Sequence, residues 1–285
     1  MKKSKKAKKV FAAVGCVVLA VVVGTAVWAT AVHVGAKKHN LIKLDVSSVP
    51  EPVAGPEKDD YVQLSEVKMH YAVYGKGGHP VILIHGNSLD LTSLDEAARY
   101  LANDYTVYSL DSRCHGKSSD PEEISYDLMA KDVKEFIEKL GLEKPYVVGH
   151  SDGGIVALTV AYIYPDLLGG FVSCGANTVP ETLKDFFIQS VLYNNKKNPS
   201  KLNKMMLTEP HITKDDLSKI KCPAYIVAGE FDIMDLSDTV FIHDSIKDSK
   251  IAIVALNDHS SYIARENSGE KAYALVSPFF KSLEG

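Results

Sequence analysis

A serine flanked by glycines is the residue in this chain best suited to act as a nucleophile. Ser151 lies in the pattern Gly-x-Ser-x-Gly at residues 149–153. This spacing is typical of a sharp strand-to-helix turn that exposes a reactive hydroxyl. An apolar run at 145–148 precedes the turn and predicts a buried strand, and the run at 155–164 predicts a helix. Glycine on both sides allows the close backbone approach that such a turn needs.

A serine hydroxyl is a weak nucleophile unless a base accepts its proton, so the chain should also supply a histidine and a partner for it. Other predicted strands end in residues of the required types. These strands and the polar residues after them are 80–84 with His85, Gly86 and Asn87, 105–110 with Asp111, 223–228 with Asp232, and 251–255 with His259. Several matches at strand ends are more specific than any one of them.

Together these motifs resemble the α/β-hydrolase fold superfamily, from about Tyr61 to the C-terminus. The resemblance implies an α/β fold with a mostly parallel central sheet, flanking helices and a short helical lid. In this family the order along the chain is nucleophile, acid, histidine. The residues in that order here are Ser151, Asp232 and His259, which would form the catalytic triad.

The resemblance also implies an oxyanion hole made by the backbone N–H groups of Asn87 and Asp152. The Asp152 side chain either packs locally or binds substrate, and the sequence leaves both open. We expect a lid at about 177–220, whose apolar residues either line an acyl pocket or pack onto the body of the domain. The candidate substrate-binding residues are Gly86, Ser88, Phe186 and Met205.

Three other carboxylates lie close in sequence to the proposed acid and base. They are Glu230, Asp235 and Asp258. Asp232 is preferred because it follows Gly229 by three residues at a strand end, as the family pattern has it. Asp258 adjoins His259, which makes the required side-chain approach awkward. Among the other histidines, His150 is expected to pack beside the turn, and His85 and His115 match structural positions of the family.

The N-terminal segment predicts a membrane anchor. Residues 1–9 contain six lysines and form a basic cytoplasmic tail, and the uncharged run that begins at Val10 predicts a transmembrane anchor at 10–34. Its 23 residues to Val32 would span about 35 Å as a helix, enough for a bilayer core of about 30 Å. The excess of lysine before the run predicts a single-pass protein with its catalytic domain outside the cell.

The alternative is a cleaved signal sequence, with small residues at 29–31 as the cleavage site and a secreted product. A proline-containing linker is predicted at 35–60, followed by a hydrolase domain at 61–285.

Charge and motif content argue against nucleic acid, metal ions and cofactors as partners of this chain. Beyond residue 43 the chain has 23 basic and 36 acidic residues, which argues against nucleic acid. The domain lacks a His-Glu-x-x-His motif, and neither a metal nor a cofactor is expected. Three cysteines beyond the anchor, Cys114, Cys174 and Cys222, are predicted to be free thiols because their strand positions keep them apart.

The residue types and the resemblance together predict a serine hydrolase that forms an acyl-enzyme, with a small-molecule carboxylic ester as substrate. The alternatives are an aminopeptidase, a carbon–carbon bond hydrolase, or a non-catalytic binding module of the same fold. Dehalogenase-like and epoxide-hydrolase-like members of the family carry aspartate at the position of Ser151.

Overall fold

The computed structural model describes residues 40–284, which fold around one nine-stranded sheet. The strands are β1 Leu41–Ile42, β2 Lys58–Gln63, β3 Lys68–Tyr74, β4 Pro80–Ile84, β5 Thr106–Leu110, β6 Tyr146–His150, β7 Gly170–Cys174, β8 Ala224–Phe231 and β9 Ser249–Asp258. Their order in the sheet is β1-β9-β8-β7-β6-β4-β5-β3-β2. Only β3 pairs antiparallel to its two neighbours, β2 and β5, so the sheet is mostly parallel, as predicted.

Helices cover both faces of the sheet. They are α1 Asp95–Leu101, α2 Tyr126–Leu140, α3 Asp152–Ile163, α4 Asp185–Lys197, α5 Lys201–Thr208, α6 Lys214–Leu217, α7 Leu236–Ser245 and α8 Gly269–Lys281, with short 3₁₀ helices at Leu91–Leu94 and Pro180–Thr182. Helices α2 and α3 pack together on one face, and α1 and α8 pack together on the other.

The central strand β4 shows why the sheet must be covered on both faces. Ile82 and Ile84 belong to the apolar core on one face, whereas Val81 and Leu83 belong to the core on the other. Alternate side chains of a strand point to opposite faces. A continuous apolar run therefore requires helices on both sides, as in other parallel sheets.

The strands predicted from apolar runs are confirmed, but two of them extend further at their carboxyl ends than predicted. The predicted strands at 223–228 and 251–255 are longer in the structure, because β8 continues to Phe231 and β9 to Asp258. The helix predicted at 155–164 begins three residues earlier, at Asp152. Each extension brings a strand or helix directly to a candidate site residue.

The predicted linker at 35–60 is wrong for its described part. Leu41 and Ile42 pair in parallel with β9, and strand β2 begins at Lys58. Between them, the N–H of Val53 donates to the backbone carbonyl of Arg99, and the Arg99 side chain donates to the backbone carbonyl of Val53. The segment docks because β9 would otherwise present an unpaired edge. The folded domain therefore begins well before residue 61.

The segment 177–220, predicted to be a lid, contains helices α4, α5 and α6 between β7 and β8. Thr213 caps α6 in a reciprocal capping box with Asp216. Leu183 lies just before α4 and forms an isolated bridge with Met234. That bridge attaches the start of the lid to the loop after β8.

Cys114, Cys174 and Cys222 are free, as predicted.

Within residues 40–284, every helix is too short or too polar to cross a bilayer. The basic tail at 1–9 and the anchor at 10–34 lie outside the described residues.

Candidate functional site

Ser151 occupies a strained turn between β6 and α3. Its φ of +56° lies in a region that non-glycine residues rarely adopt. A Cβ on Gly149 would lie 2.0 Å from the carbonyl oxygen of Gly153, and a Cβ on Gly153 would lie 2.0 Å from that of Ile84. The strained turn predicted from the glycine spacing is thus confirmed, and both glycines are required for its close packing.

The acid and histidine candidates meet at the same edge of the sheet as Ser151. Strands β6, β8 and β9 are parallel, and Ser151, Asp232 and His259 each directly follow one of them. The distance between His259 Nδ1 and Asp232 Oδ1 is 2.6 Å. With Nδ1 engaged in this way, the other ring nitrogen of His259 is left for proton exchange with the serine hydroxyl.

The Asp232 carboxylate is buried but well stabilised in its ionised form. Burial raises the pKa of this carboxyl, but the attraction of His259 and three hydrogen bonds outweigh that effect, so the pKa lies below its ordinary value. The bonds come from His259 and from the backbone N–H groups of Gly229 and Ile233. A carboxylate held this way stays charged at neutral pH and orients the imidazole.

Two of the three rival carboxylates, Asp258 and Glu230, have other partners. Asp258 accepts hydrogen bonds from the backbone N–H groups of Ser260 and Ser261 and pairs with Arg265. Glu230 accepts a bond from the backbone of Leu256. These contacts organise the loop that carries His259, whereas Asp232 contacts the imidazole itself.

His150 packs against the loop that carries His259. Its Nε2 donates to the backbone carbonyl of His259 at 3.0 Å, and the two rings lie 4.8 Å apart. Burial, and then the neighbouring His259, lower the pKa of His150 to about 3. His150 is therefore neutral at working pH and acts as a packed, hydrogen-bonded support.

The loop after β4 lies against the serine. A Cβ on Gly86 would lie 3.0 Å from Ser151 Cβ, so this loop passes directly beside Ser151. Asp152 is the first residue of α3, and its N–H is among those that have no partner within the helix. The next residue of the loop, Asn87, donates a side-chain hydrogen bond to Asp152 Oδ2 at 2.9 Å.

The candidate substrate-binding residues lie in different environments. Ser88 has a φ of +56°, and its backbone N–H donates to His115 Nε2 at 3.1 Å. Phe186, on α4, is 66% exposed. Met205 is buried in the core that contains α2 and α3, and it also lines a cavity of about 380 Å³ between α5 and the 122–128 segment. Their contact with substrate stays a prediction.

Two residues next to the acid–histidine pair were missed in the sequence. Gly175 follows β7 with a φ of +64°, and a Cβ there would lie 2.8 Å from His259 Nδ1. Lys184, in the lid, donates to the backbone carbonyl of Asp232. The position of Gly175 at a strand end was a usable signal, but the Lys184 contact had none.

Within residues 40–284, no cluster of three or more histidine, cysteine, aspartate or glutamate side chains could hold a metal ion. The chemistry that the arrangement supports is nucleophilic attack by Ser151, with His259 as base and Asp232 as its partner.

A family model described as alpha/beta hydrolase fold matches residues 79–208. The human serine hydrolase BPHL is 26% identical over 234 residues, which cover 71% of this chain and 80% of that protein. Epoxide hydrolase 4 of Mus musculus is 31% identical over 114 residues, which cover 38% of this chain and 32% of that protein. For several curated relatives, including this epoxide hydrolase, the matched region spans only about a third of the relative's length.

Solved structures share the fold. A crystal structure of a membrane phospholipase A, described as a bacterial virulence factor, superimposes with a TM-score of 0.65 at 18% identity, covering 95% of this chain and 98% of that one. At this level of identity the likeness shows the fold alone.

Proposed function

The chain belongs to the α/β-hydrolase fold superfamily, and on that premise we propose that it is a serine hydrolase that cleaves carboxylic esters. The observation that carries the proposal is the shared position of Ser151, Asp232 and His259 at one edge of the sheet, each directly after a parallel strand. Ser151 lies on a strained turn there, and the His259–Asp232 contact measures 2.6 Å.

The first half of the reaction forms an acyl-enzyme. The Ser151 hydroxyl attacks the ester carbonyl carbon while His259 takes its proton, and Asp232 stabilises the resulting imidazolium. The carbonyl oxygen becomes an oxyanion that accepts hydrogen bonds from the backbone N–H groups of Asn87 and Asp152. The tetrahedral intermediate then collapses, and the imidazolium gives its proton to the departing alcohol.

In the second half, water replaces the alcohol. His259 removes a proton from that water as it attacks the acyl-enzyme carbonyl. Collapse of the second intermediate returns the proton to Ser151 and releases the carboxylic acid. One ester and one water are consumed, and no other reactant is required.

The identity of the nucleophile favours ester hydrolysis over the reactions named for some relatives. An epoxide hydrolase and a fluoroacetate dehalogenase are among the similar proteins. The notable difference is that this chain has serine at the position where such family members carry aspartate. Aminopeptidase and carbon–carbon bond hydrolase activities use the same triad and remain alternatives for the substrate panel to separate.

Reaction with a fluorophosphonate probe tests the proposal. The full-length protein should be labelled at Ser151 and should hydrolyse p-nitrophenyl esters, with Ser151→Ala abolishing both while folding is preserved. The panel should vary acyl chain length and include aminoacyl amides. A phospholipid ester belongs in it because one fold neighbour is named a membrane phospholipase A. Undiminished labelling of Ser151→Ala would refute the assignment.

We also propose that residues 10–34 anchor the protein in the cell membrane with residues 40–284 outside. The lysines before the apolar run support this orientation. Protease added to intact cells should then digest the domain. Protection of the domain until lysis would contradict the orientation, and a mature N-terminus just after residue 31 would indicate a secreted protein.

A further inference from the structure

The two residues assigned to the oxyanion hole are joined through their side chains. Asn87 follows β4 and Asp152 opens α3, so the two backbone N–H donors belong to separate segments 65 residues apart. Asn87 Nδ2 donates to Asp152 Oδ2 at 2.9 Å. The segments are therefore connected by a direct hydrogen bond as well as by sheet packing.

Neighbouring groups hold each partner of this bond. Ser88 Oγ donates to Asn87 Oδ1 at 2.8 Å, and Asn87 Nδ2 also donates to the backbone carbonyl of Leu202 in the lid, at 3.3 Å. The neighbouring Tyr126 side chain also stabilises the ionised Asp152 carboxylate and so opposes the rise in its pKa. Rotation of Asn87 away from Asp152 would break several hydrogen bonds at once.

The Asp152 carboxylate is unfavourable for stability in its ionised form. The residue is buried, and this burial raises the pKa of its carboxyl despite the bonds from Asn87 and Tyr126. A carboxyl whose pKa is higher in the folded than in the unfolded protein lowers stability at neutral pH, and that loss is recovered as the pH falls through the folded pKa. Packing stability alone therefore does not account for an aspartate at this position.

We propose that Asp152 is a positioning residue for the hydrolytic reaction, with its carboxylate holding Asn87 so that both backbone N–H groups point at one oxyanion. This inference rests on the proposed function. The bond between the side chains sets the spacing of the donors, and oxyanion stabilisation depends on preorganised donor geometry. It also connects the oxyanion hole to the lid, through the contact of Asn87 with Leu202.

A different role for the same carboxylate, binding a cationic group of the substrate, predicts a different response to substitution. Positioning needs a hydrogen-bond acceptor for Asn87 and a partner for Tyr126. An asparagine at 152 supplies both, since its amide oxygen accepts from Asn87 and its amide N–H donates to the Tyr126 oxygen. Binding of a cation needs the negative charge, which asparagine lacks.

The experiment compares Asp152→Ala, Asp152→Asn and Asn87→Ala in the full-length protein, with p-nitrophenyl esters and a fluorophosphonate. We expect Asp152→Ala and Asn87→Ala to lower kcat and the labelling rate by about tenfold to a hundredfold. KM should change by less than about twofold, because the interaction matters in the transition state. Asp152→Asn should restore most of the rate.

The matched control is Asp238→Ala. Asp238 is also a buried carboxylate, and it binds Thr178 and Thr182 at the start of the lid. Its removal should lower the melting temperature with little effect on labelling. The double variant Asn87→Ala/Asp152→Ala should be at most about twofold slower than either single variant. Each single substitution already removes the same Asn87–Asp152 hydrogen bond, so the two effects should not add.

Wild-type rates in Asp152→Ala or Asn87→Ala would overturn the inference, as would Asp152→Asn being as slow as Asp152→Ala. Should Asp152→Ala fail to fold, Asn87→Ala and Asp152→Asn still decide the question. Absence of labelling and hydrolysis in the wild-type protein would instead refute the proposed function, which is a distinguishable result.

Discussion

Gly175 lies directly against the imidazole of His259. A Cβ on Gly175 would be 2.8 Å from both Cε1 and Nδ1 of that ring and 3.7 Å from Asp232 Oδ2. The φ of +64° adds a backbone reason for glycine. Strand β7, which Gly175 follows, lies between β6 and β8, so this glycine lies between Ser151 and Asp232 along the sheet edge.

The first prediction follows from this contact. Gly175→Ala should displace the His259 ring and lower kcat by about tenfold to a hundredfold, since small misplacements of a reacting group are costly. Ester hydrolysis and fluorophosphonate labelling measure the loss. Gly77→Ala is the control, because a Cβ at that position meets no atom within 4 Å. Equal rates for the two variants would show that the ring tolerates the methyl group.

The second prediction concerns the acid. Asp232→Asn should preserve the fold but lower kcat by about 10³- to 10⁴-fold, because it favours the wrong tautomer of His259. Asp235→Asn and Asp258→Asn should be mild by comparison, since neither carboxylate makes the 2.6 Å contact with Nδ1. Kinetics at neutral pH on all three variants provide the test. If Asp258→Asn were the damaging one, the triad would need to be redrawn.

The third prediction concerns the lid. The Lys184 ammonium donates to the backbone carbonyl of Asp232, and the Lys184 N–H donates to the carbonyl of Ile233 at 2.8 Å. Lys184→Met keeps the backbone bond and removes the ammonium. We expect kcat to fall about three- to tenfold, because a hydrogen bond to a charged group is lost beside the acid. Lys196→Met, at an exposed position of α4, is the control and should retain the wild-type kcat.

The fourth prediction concerns acid stability. Burial, and then the nearby His115, lower the pKa of His85 from 6.5 to about 4. A histidine with a lowered folded pKa contributes its full stability above pH 6.5 and loses it as the pH falls towards 4. The difference between these two pKa values corresponds to a free energy of unfolding on the order of 3 kcal/mol.

Denaturant unfolding between pH 7 and 4 tests this, with His85→Gln expected to flatten the pH dependence. His211→Gln, at an exposed position, should leave the slope unchanged. Identical slopes in His85→Gln and wild type would contradict the prediction.

Much of the site was predictable because its parts are local. The glycines at 149 and 153 predict the tight turn around Ser151, and apolar runs predict the strands that the acid and histidine follow. The turn and the strands each depend on residues only a few positions apart in the sequence, so their patterns can be recognised without knowing the tertiary structure.

The docked segment at 40–60 was not predictable in this way. Its prolines and mixed charge are those of a spacer, yet Leu41–Ile42 completes the sheet beside β9. Composition describes how a segment behaves alone. Whether it docks depends on an unpaired strand edge formed more than 200 residues later.

The sequence by itself determined the order of Ser151, Asp232 and His259 along the chain and the strands that these residues follow. Only the tertiary structure showed that Gly175 packs against the His259 ring. It also showed the hydrogen bonds from Lys184 to the carbonyl of Asp232 and from Asn87 to Asp152. The physical reason is sequence separation. Periodicity and turn chemistry act over neighbouring residues, whereas these contacts join segments about 50 to 85 residues apart, which meet only when the strands are ordered in the sheet.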